Sequence, residues 1–215
     1  MTRKIFWEDP YLCELDTRVA RVADNAITLA ETIFYAMSGG QESDAGTING
    51  LPVSAARKTG SDIVYELAQA HGLAPGDPAR VRIDWPRRYR LMRLHFAAEV
   101  ILELVYRNLP GIEKIGAHIA PDKARIDFAW HENISPLFDL LKSQAMRVVA
   151  ADSRIISAFS DERAEARFWE VEGFARVPCG GTHLRRTGEV GEVFLRRRNV
   201  GKGKERIEVR LDEPG

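Results

Sequence analysis

The sequence predicts an α+β protein in two parts, and three observations predict it. Short β-type runs separated by turn residues fill the chain before Pro86. One long stretch of helical period follows Pro86. Beyond it, hairpin-like runs alternate with further helical segments, the pattern of helices packed on an antiparallel sheet.

The first part is justified run by run. Residues 18–22 and 26–29 are β-type and flank Asp24-Asn25, a turn signal. Residues 32–35 read as a third strand that stops at Ser38-Gly39-Gly40. Residues 47–53 contain Asn49-Gly50, the strongest two-residue hairpin signal. Residues 61–71 read as strand, then loop. Pro75-Gly76-Asp77-Pro78 is a turn, and residues 79–85 alternate like a strand. Strands at this spacing suggest a small barrel or a sandwich.

The second part begins with a helix over 87–108. Leu91, Leu94, Ala98, Ile101, Leu102 and Val105 fall on one stripe, and Asn108-Leu109-Pro110-Gly111 ends it. Residues 115–119 and 123–129 form a hairpin around Pro121-Asp122. Ser135 starts a second helix, with Pro136 in its first turn, running to about residue 150. Residues 154–159 are β-like, and 161–168 read as a short polar helix. Residues 190–196 and 206–211 close the chain as a hairpin.

Composition narrows the function classes. The chain has 215 residues, 45% hydrophobic and 29% charged, which excludes collagen-like and disordered chains. Lysine plus arginine equals aspartate plus glutamate at 31 each, so no global charge pulls the protein toward nucleic acid. Two cysteines make no disulfide framework and suit a reducing compartment. The start lacks the apolar run of a signal peptide, and no stretch approaches the roughly 20 apolar residues of a membrane helix. A cytoplasmic protein with no membrane partner is expected.

Two pairs of residues can carry metal chemistry. His95 and Glu99 stand four apart on the predicted helix, hence on one face. Cys179 and His183 bracket Gly180-Gly181-Thr182, a tight loop able to bring both to one point. Together they offer a thiolate, two imidazoles and a carboxylate, a plausible set for one zinc ion. Taken singly, each pair has a plain structural reading. Ser38-Gly39-Gly40-Gln41 follows a strand; its glycines can expose N–H groups to a ligand, or simply make a turn.

Two basic segments flank these pairs. The first holds Arg87, Arg88, Arg90 and Arg93. The second spans residues 185–210 and holds Arg185, Arg186, Arg196, Arg197, Arg198, Lys202, Lys204, Arg206 and Arg210, of which those up to Lys204 are the candidates for RNA contact. Such segments suit docking of a phosphate backbone, or an ordinary solvated face.

Three ordered motifs resemble one family. Thr32-Ile33-Phe34-Tyr35-Ala36-Met37-Ser38-Gly39-Gly40-Gln41 resembles the T-x-F-Y-x-x-S-G-G-Q segment of the alanyl-tRNA synthetase editing domain and of the free-standing AlaX editing proteins. His95 and Glu99 resemble its H-x-x-x-H helix, with glutamate at the second histidine position. Cys179-Gly180-Gly181-Thr182-His183 and Thr187-Gly188-Glu189-Val190-Gly191 resemble its C-x-G-T-H…T-x-E-I-G element. The matches span nearly the whole chain.

The resemblance implies a medium-form AlaX architecture. This is a small N-terminal β-barrel domain over 1–86 and a two-layer α/β editing domain over 87–215, similar to the second additional domain of the synthetases. It implies deacylation of mischarged tRNA(Ala), chiefly seryl and also glycyl esters. One zinc would sit on His95, Cys179 and His183, with Glu99 in the place of a family histidine. It places Thr32 at the aminoacyl group, where it would read the seryl hydroxyl, and Gln41 in the editing pocket; Gly39, Gly40 and Gln41 are then expected to offer donors to the reacting ester. A hydrolase for another mischarged aminoacyl-tRNA is a second reading. A non-catalytic RNA-binding module with a structural metal is a third, and Glu99 is the feature that favours it.

Overall fold

The computed structural model describes residues 1–212. Those residues divide into two compact units, Met1–Ser38 with Glu42–Tyr89, and Gly39–Gln41 with Arg90 onward. The short Gly39–Gln41 piece therefore groups with the second unit, although the sequence places it within the first part.

In the first unit the strands are β1 (Arg3–Lys4), β2 (Glu14–Ala23), β3 (Ala26–Leu29), β4 (Glu31–Thr32), β5 (Gly46–Ile48), β6 (Leu51–Thr59), β7 (Asp62–Leu67) and β8 (Pro78–Ile83). Six of them pair in a closed ring, β2-β3-β7-β6-β5-β8, and β8 returns to β2. Closure leaves those six strands no free edge. The Asn49-Gly50 turn joins β5 to β6 with φ of 52° and 81°, the left-handed pair that a two-residue hairpin needs.

The strand expected over 32–35 is not there. Only Glu31 and Thr32 pair, with β1. Ile33, Phe34, Tyr35 and Ala36 are buried without joining a ladder. Burial alone explains this apolar run, and β propensity does not distinguish burial from pairing. Ile27, Leu29, Tyr65, Leu67 and Val81 complete the same core.

The second unit is built on α1 (Trp85–Asn108), whose residues from Arg90 onward lie in that unit. The predicted stripe is buried except for half-buried Leu102. Met92, Phe96, Ala97, Val100 and Leu104 are buried too, so the helix is apolar on nearly all sides, as a central helix must be. Next come β9 (Glu113–Ile119), β10 (Ala124–Ala129), α2 (Phe138–Ala150), β11 (Ile156–Asp161), β12 (Ala166–Val171), β13 (Ala175–Pro178), β14 (Val193–Asn199) and β15 (Lys204–Leu211). They form an antiparallel sheet, β14-β15-β10-β9, and a three-stranded sheet, β11-β12-β13. The unit is α+β, with two helices and two antiparallel sheets. No helix among the described residues is long and apolar enough to cross a membrane.

The polar helix expected over 161–168 is instead a turn entering β12. Asp161 accepts the N–H groups of Arg163 and Ala164 at 2.9 and 3.1 Å, and Glu165 takes a positive φ of 52°. Those local bonds close a turn and compete with a helix. Trp169 then alternates inward and is fully buried, edge-on to Phe96 at 5.1 Å between ring centroids. That contact packs β12 onto the helix that carries His95.

Candidate metal centre

The two halves of the metal set come from a helix and a loop. His95 and Glu99 sit one turn apart on α1, with Nε2 and Oε1 3.4 Å apart. Cys179 follows β13, and its N–H donates to the Arg167 carbonyl at 2.9 Å, so the β12–β13 pairing runs up to the cysteine. Its Sγ lies 3.5 Å from His95 Nε2. His183 Nε2 lies 3.4 Å from Glu99 Oε2. One ligand atom from each of the four lies within 4.8 Å of every other. The edges of a zinc tetrahedron with 2.0–2.3 Å bonds are about 3.3–3.8 Å, so little movement closes these atoms on one ion.

The polar bookkeeping supports the same fit. His183 Nε2 and Glu99 Oε2 are buried and, among the described residues, have no hydrogen-bond partner. Buried polar atoms left this way are costly, and here they face the other ligand atoms. Ser157 Oγ lies 3.2 Å from His183 Nδ1, so the outer nitrogen is occupied and Nε2 is turned to the cluster.

The electrostatics are mutually dependent. Burial works against a charged His95, yet the charges of Glu99 and Cys179 raise its pKa above the usual histidine value. The His183 pKa is raised as well, burial opposing and Cys179 prevailing. Burial would raise the Glu99 carboxyl, but His95 and His183 hold it well below the usual carboxylate range. The Cys179 thiol, which burial alone would push up, is brought down to about 7 by the two histidines. The site thus holds two negative groups that are neutralised by protons or by a cation.

Gly181 and Gln41 hold the ligand loop in place. A Cβ on Gly181 would lie 2.2 Å from His95 Cε1 and 2.9 Å from Gln41 Oε1, so only glycine lets the loop approach. Gln41 Nε2 donates to Thr182 Oγ1 at 2.9 Å, and the Thr182 N–H donates back to Gln41 Oε1 at 3.3 Å. Gln41 is fully buried and clamps the segment between the two loop ligands. Sequence reasoning gives Thr182 no role of its own, although it matches the threonine of the C-x-G-T-H element between Cys179 and His183. Gly40 lets Gln41 in: its carbonyl accepts the Ile119 N–H at 2.8 Å, and a Cβ there would meet the Ala117 carbonyl oxygen at 2.7 Å. Gly39 helps line a small chamber of about 50 Å³ beside His95 and Glu99.

Thr32 lies in the first unit, fully buried. Its Oγ1 accepts the Phe34 N–H at 3.0 Å and lies 2.7 Å from the Tyr65 hydroxyl. Tyr65 donates its own proton to the Phe34 carbonyl, so Thr32 is the donor to Tyr65. Its hydroxyl is engaged inside the protein on both counts.

The basic candidates divide sharply. Arg88 is completely buried in the first unit. It pairs with both oxygens of Asp44 and donates to the carbonyls of Ile33 at 2.6 Å and Pro10 at 2.9 Å. Arg93 is buried and donates twice to the Val190 carbonyl. Neither is available to a phosphate, which corrects the expectation for both; an arginine run conceals which members turn inward. Arg87 pairs with Glu42, Arg186 with Asp152, and Arg197 with Glu205. Arg90 donates to the Pro121 carbonyl, and Arg198 faces Glu208 at 3.7 Å. Arg185, Arg196, Lys202 and Lys204 are exposed at the surface.

Known proteins resemble this chain along its whole length. Residues 167–208, which include Cys179 and His183, match the family described as the threonyl and alanyl tRNA synthetase second additional domain. The chain is 34% identical to the alanyl-tRNA editing protein AlaX-M of Pyrococcus horikoshii, covering 99% of each. It is 32% identical to the AlaX-M protein of Methanosarcina barkeri, covering 96% of this chain and 98% of the relative. It is also 34% identical to the alanine–tRNA ligase of Ignicoccus hospitalis, where 96% of this chain matches 26% of the ligase.

Proposed function

The chain belongs to the family of alanyl-tRNA editing proteins of the AlaX-M type, and from that premise we propose that it is a trans-editing aminoacyl-tRNA deacylase. Its substrate is mischarged tRNA(Ala), Ser-tRNA(Ala) first and Gly-tRNA(Ala) second, met in the cytoplasm. The observation that carries the reading is the cluster of buried His95 and His183 with half-buried Glu99 and Cys179, in which His183 Nε2 and Glu99 Oε2 face each other at 3.4 Å and, among the described residues, make no hydrogen bond. The donor set suits one zinc ion.

A zinc ion held there supplies a Lewis-acid centre that can polarise a carbonyl or orient the substrate's amino group. The protein's own residues do the rest. The ester is already activated, so positioning and charge stabilisation suffice. The Gly39-lined chamber beside His95 and Glu99 admits only a small side chain. Gln41 is a positioning residue, fixing Thr182 and so the spacing of Cys179 and His183. Thr32 is a positioning residue within its own unit, ordering Phe34 and Tyr65. Arg185, Arg196, Lys202 and Lys204 offer surface cations to the RNA backbone, and the paired arginines beside them add less.

The test is deacylation of Ser-tRNA(Ala) beside Ala-tRNA(Ala) at catalytic protein levels. Rapid loss of serine with alanine spared is expected. No loss of either by folded, zinc-loaded protein would overturn the editing reading and favour a non-catalytic RNA-binding module, to which the glutamate at position 99 would then be the clue.

A further inference from the structure

An unpaired lysine borders the metal centre. Lys114, on β9, lines the same chamber as His95 and Glu99. The chamber's other walls are mainly apolar, from Ala98, Leu102, Ala117 and Ile119. Among the described residues no hydrogen bond or ion pair engages the Lys114 ammonium, whereas Lys123, Lys142 and Arg206 of the same unit each have a carboxylate.

The backbone explains how a lysine comes to lie there. In the β9–β10 ladder, Ile119 faces Ala124 and Ala117 faces Ile126, on the buried side of β10. Strict alternation would bring Ile115 to that side next and turn Lys114 away. The ladder instead carries a bulge: Gly116 pairs with Asp127, and Lys114 pairs with Phe128. The extra residue, Ile115, is left 45% exposed, and Lys114, itself exposed at the surface, lands opposite buried Phe128, in register with Ala117 and Ile119 at the rim of the chamber. Bulges beside active sites re-aim a side chain in this way.

Charge gives the lysine a task. The set here includes a thiolate and a carboxylate, two negative charges that cancel those of one divalent zinc. A histidine at position 99 would leave such a centre net positive. With Glu99 the centre offers less net charge to an oxygen that becomes negative during ester hydrolysis. Resting on the editing reading, we propose that Lys114 is a catalytic residue whose ammonium stabilises the negative charge that develops on the ester carbonyl oxygen, replacing the positive charge that Glu99 removes from the metal site. In that step water's oxygen bonds to the carbonyl carbon, and the carbonyl π pair moves to its oxygen beside Lys114. The tetrahedral species then collapses, the bond to the ribose 3′ oxygen breaks, and that oxygen takes a proton originating from the water. The products are a free amino acid and a 3′-hydroxyl; Lys114 keeps its proton throughout.

The experiment compares the unsubstituted protein with Lys114→Met and Lys114→Arg, all zinc-loaded, on Ser-tRNA(Ala). Lys114→Met should lower kcat by about 100-fold or more, the usual effect of removing one oxyanion donor, with KM and zinc content unchanged. Lys114→Arg should restore most of it. Calorimetry supplies a readout apart from turnover. A seryl phosphonate analogue on adenosine, which carries a fixed negative oxygen, should bind Lys114→Met about 100-fold more weakly, while the neutral amide analogue binds both proteins alike. A kcat within threefold, a loss confined to KM, or equal weakening for both analogues would overturn the role of Lys114. No turnover by the unsubstituted protein would overturn the editing reading, and the Lys114 role with it.

Discussion

Two places in this protein bury charge, and they treat it in opposite ways. In the first unit, Arg88 and Asp44 are both fully out of solvent, and the guanidinium is closed by the carboxylate and two backbone carbonyls. In the second, His95, Glu99, Cys179 and His183 crowd together, and His183 Nε2 and Glu99 Oε2 lie 3.4 Å apart with no hydrogen bond to either among the described residues. The first arrangement is complete without any ligand, so it serves the fold. The second becomes complete only when something cationic occupies its centre. Burial of charge does not mark a functional site; an unfinished set of buried partners does.

The comparison can be broken from either side. The largest effect belongs to Asp44→Ala, which strands the Arg88 charge and should cost about 3–5 kcal/mol of stability in denaturant titration, with zinc affinity unchanged. A loss under about 1 kcal/mol would place Arg88–Asp44 with the exposed pairs instead. Next is Gly181→Ala, whose Cβ would press on the His95 ring. It should weaken zinc binding about 10- to 100-fold by displacing that ring, as disturbing the groups around a metal ligand usually does. Unchanged zinc affinity would mean that the loop can yield.

Thr32→Val removes a hydroxyl bonded to Phe34 and Tyr65, so a loss of about 1–3 kcal/mol in stability is expected, with the serine-to-alanine rate ratio unchanged. A changed ratio at full stability would restore the direct contact that the family resemblance implies. Acid should loosen the metal centre. His95 and His183 hold protons above the usual histidine range, and the Cys179 thiol titrates near 7, so zinc must displace more protons as pH falls. Affinity measured from pH 8 to pH 5 should decline by about tenfold per unit for each proton displaced, while Glu99 stays ionised. A flat profile would contradict the ligand set. The smallest effect belongs to the surface. Replacing Arg196, Lys202 and Lys204 with alanine should lower the salt slope of tRNA binding by about 1 for each phosphate no longer neutralised, where replacing paired Arg197 should change it less.

The four members of the metal set are legible in the sequence because local rules place them in pairs. A four-residue helical spacing unites His95 with Glu99, and a glycine-rich loop unites Cys179 with His183. What local rules do not carry is tertiary. The clamp of Gln41 on Thr182 joins residues 141 apart, and no local signal announces it. Arg88 reads as one more surface arginine until Asp44 and two carbonyls surround it. Lys114 falls on the wrong face by alternation, and only the bulge at Ile115 brings it into register with Phe128, at the chamber's exposed rim. Strand β12 shows the reverse error, in which polar residues at 161–165 read as a helix but make a turn.

Metal content tests the central claim most directly. Purified protein and the Cys179→Ala variant, both refolded with zinc and passed through a chelating column, would be assayed by elemental mass spectrometry. One zinc per chain in the first and little in the second is the expected result. No zinc in the unsubstituted protein, or a full complement in the variant, would contradict the ligand set.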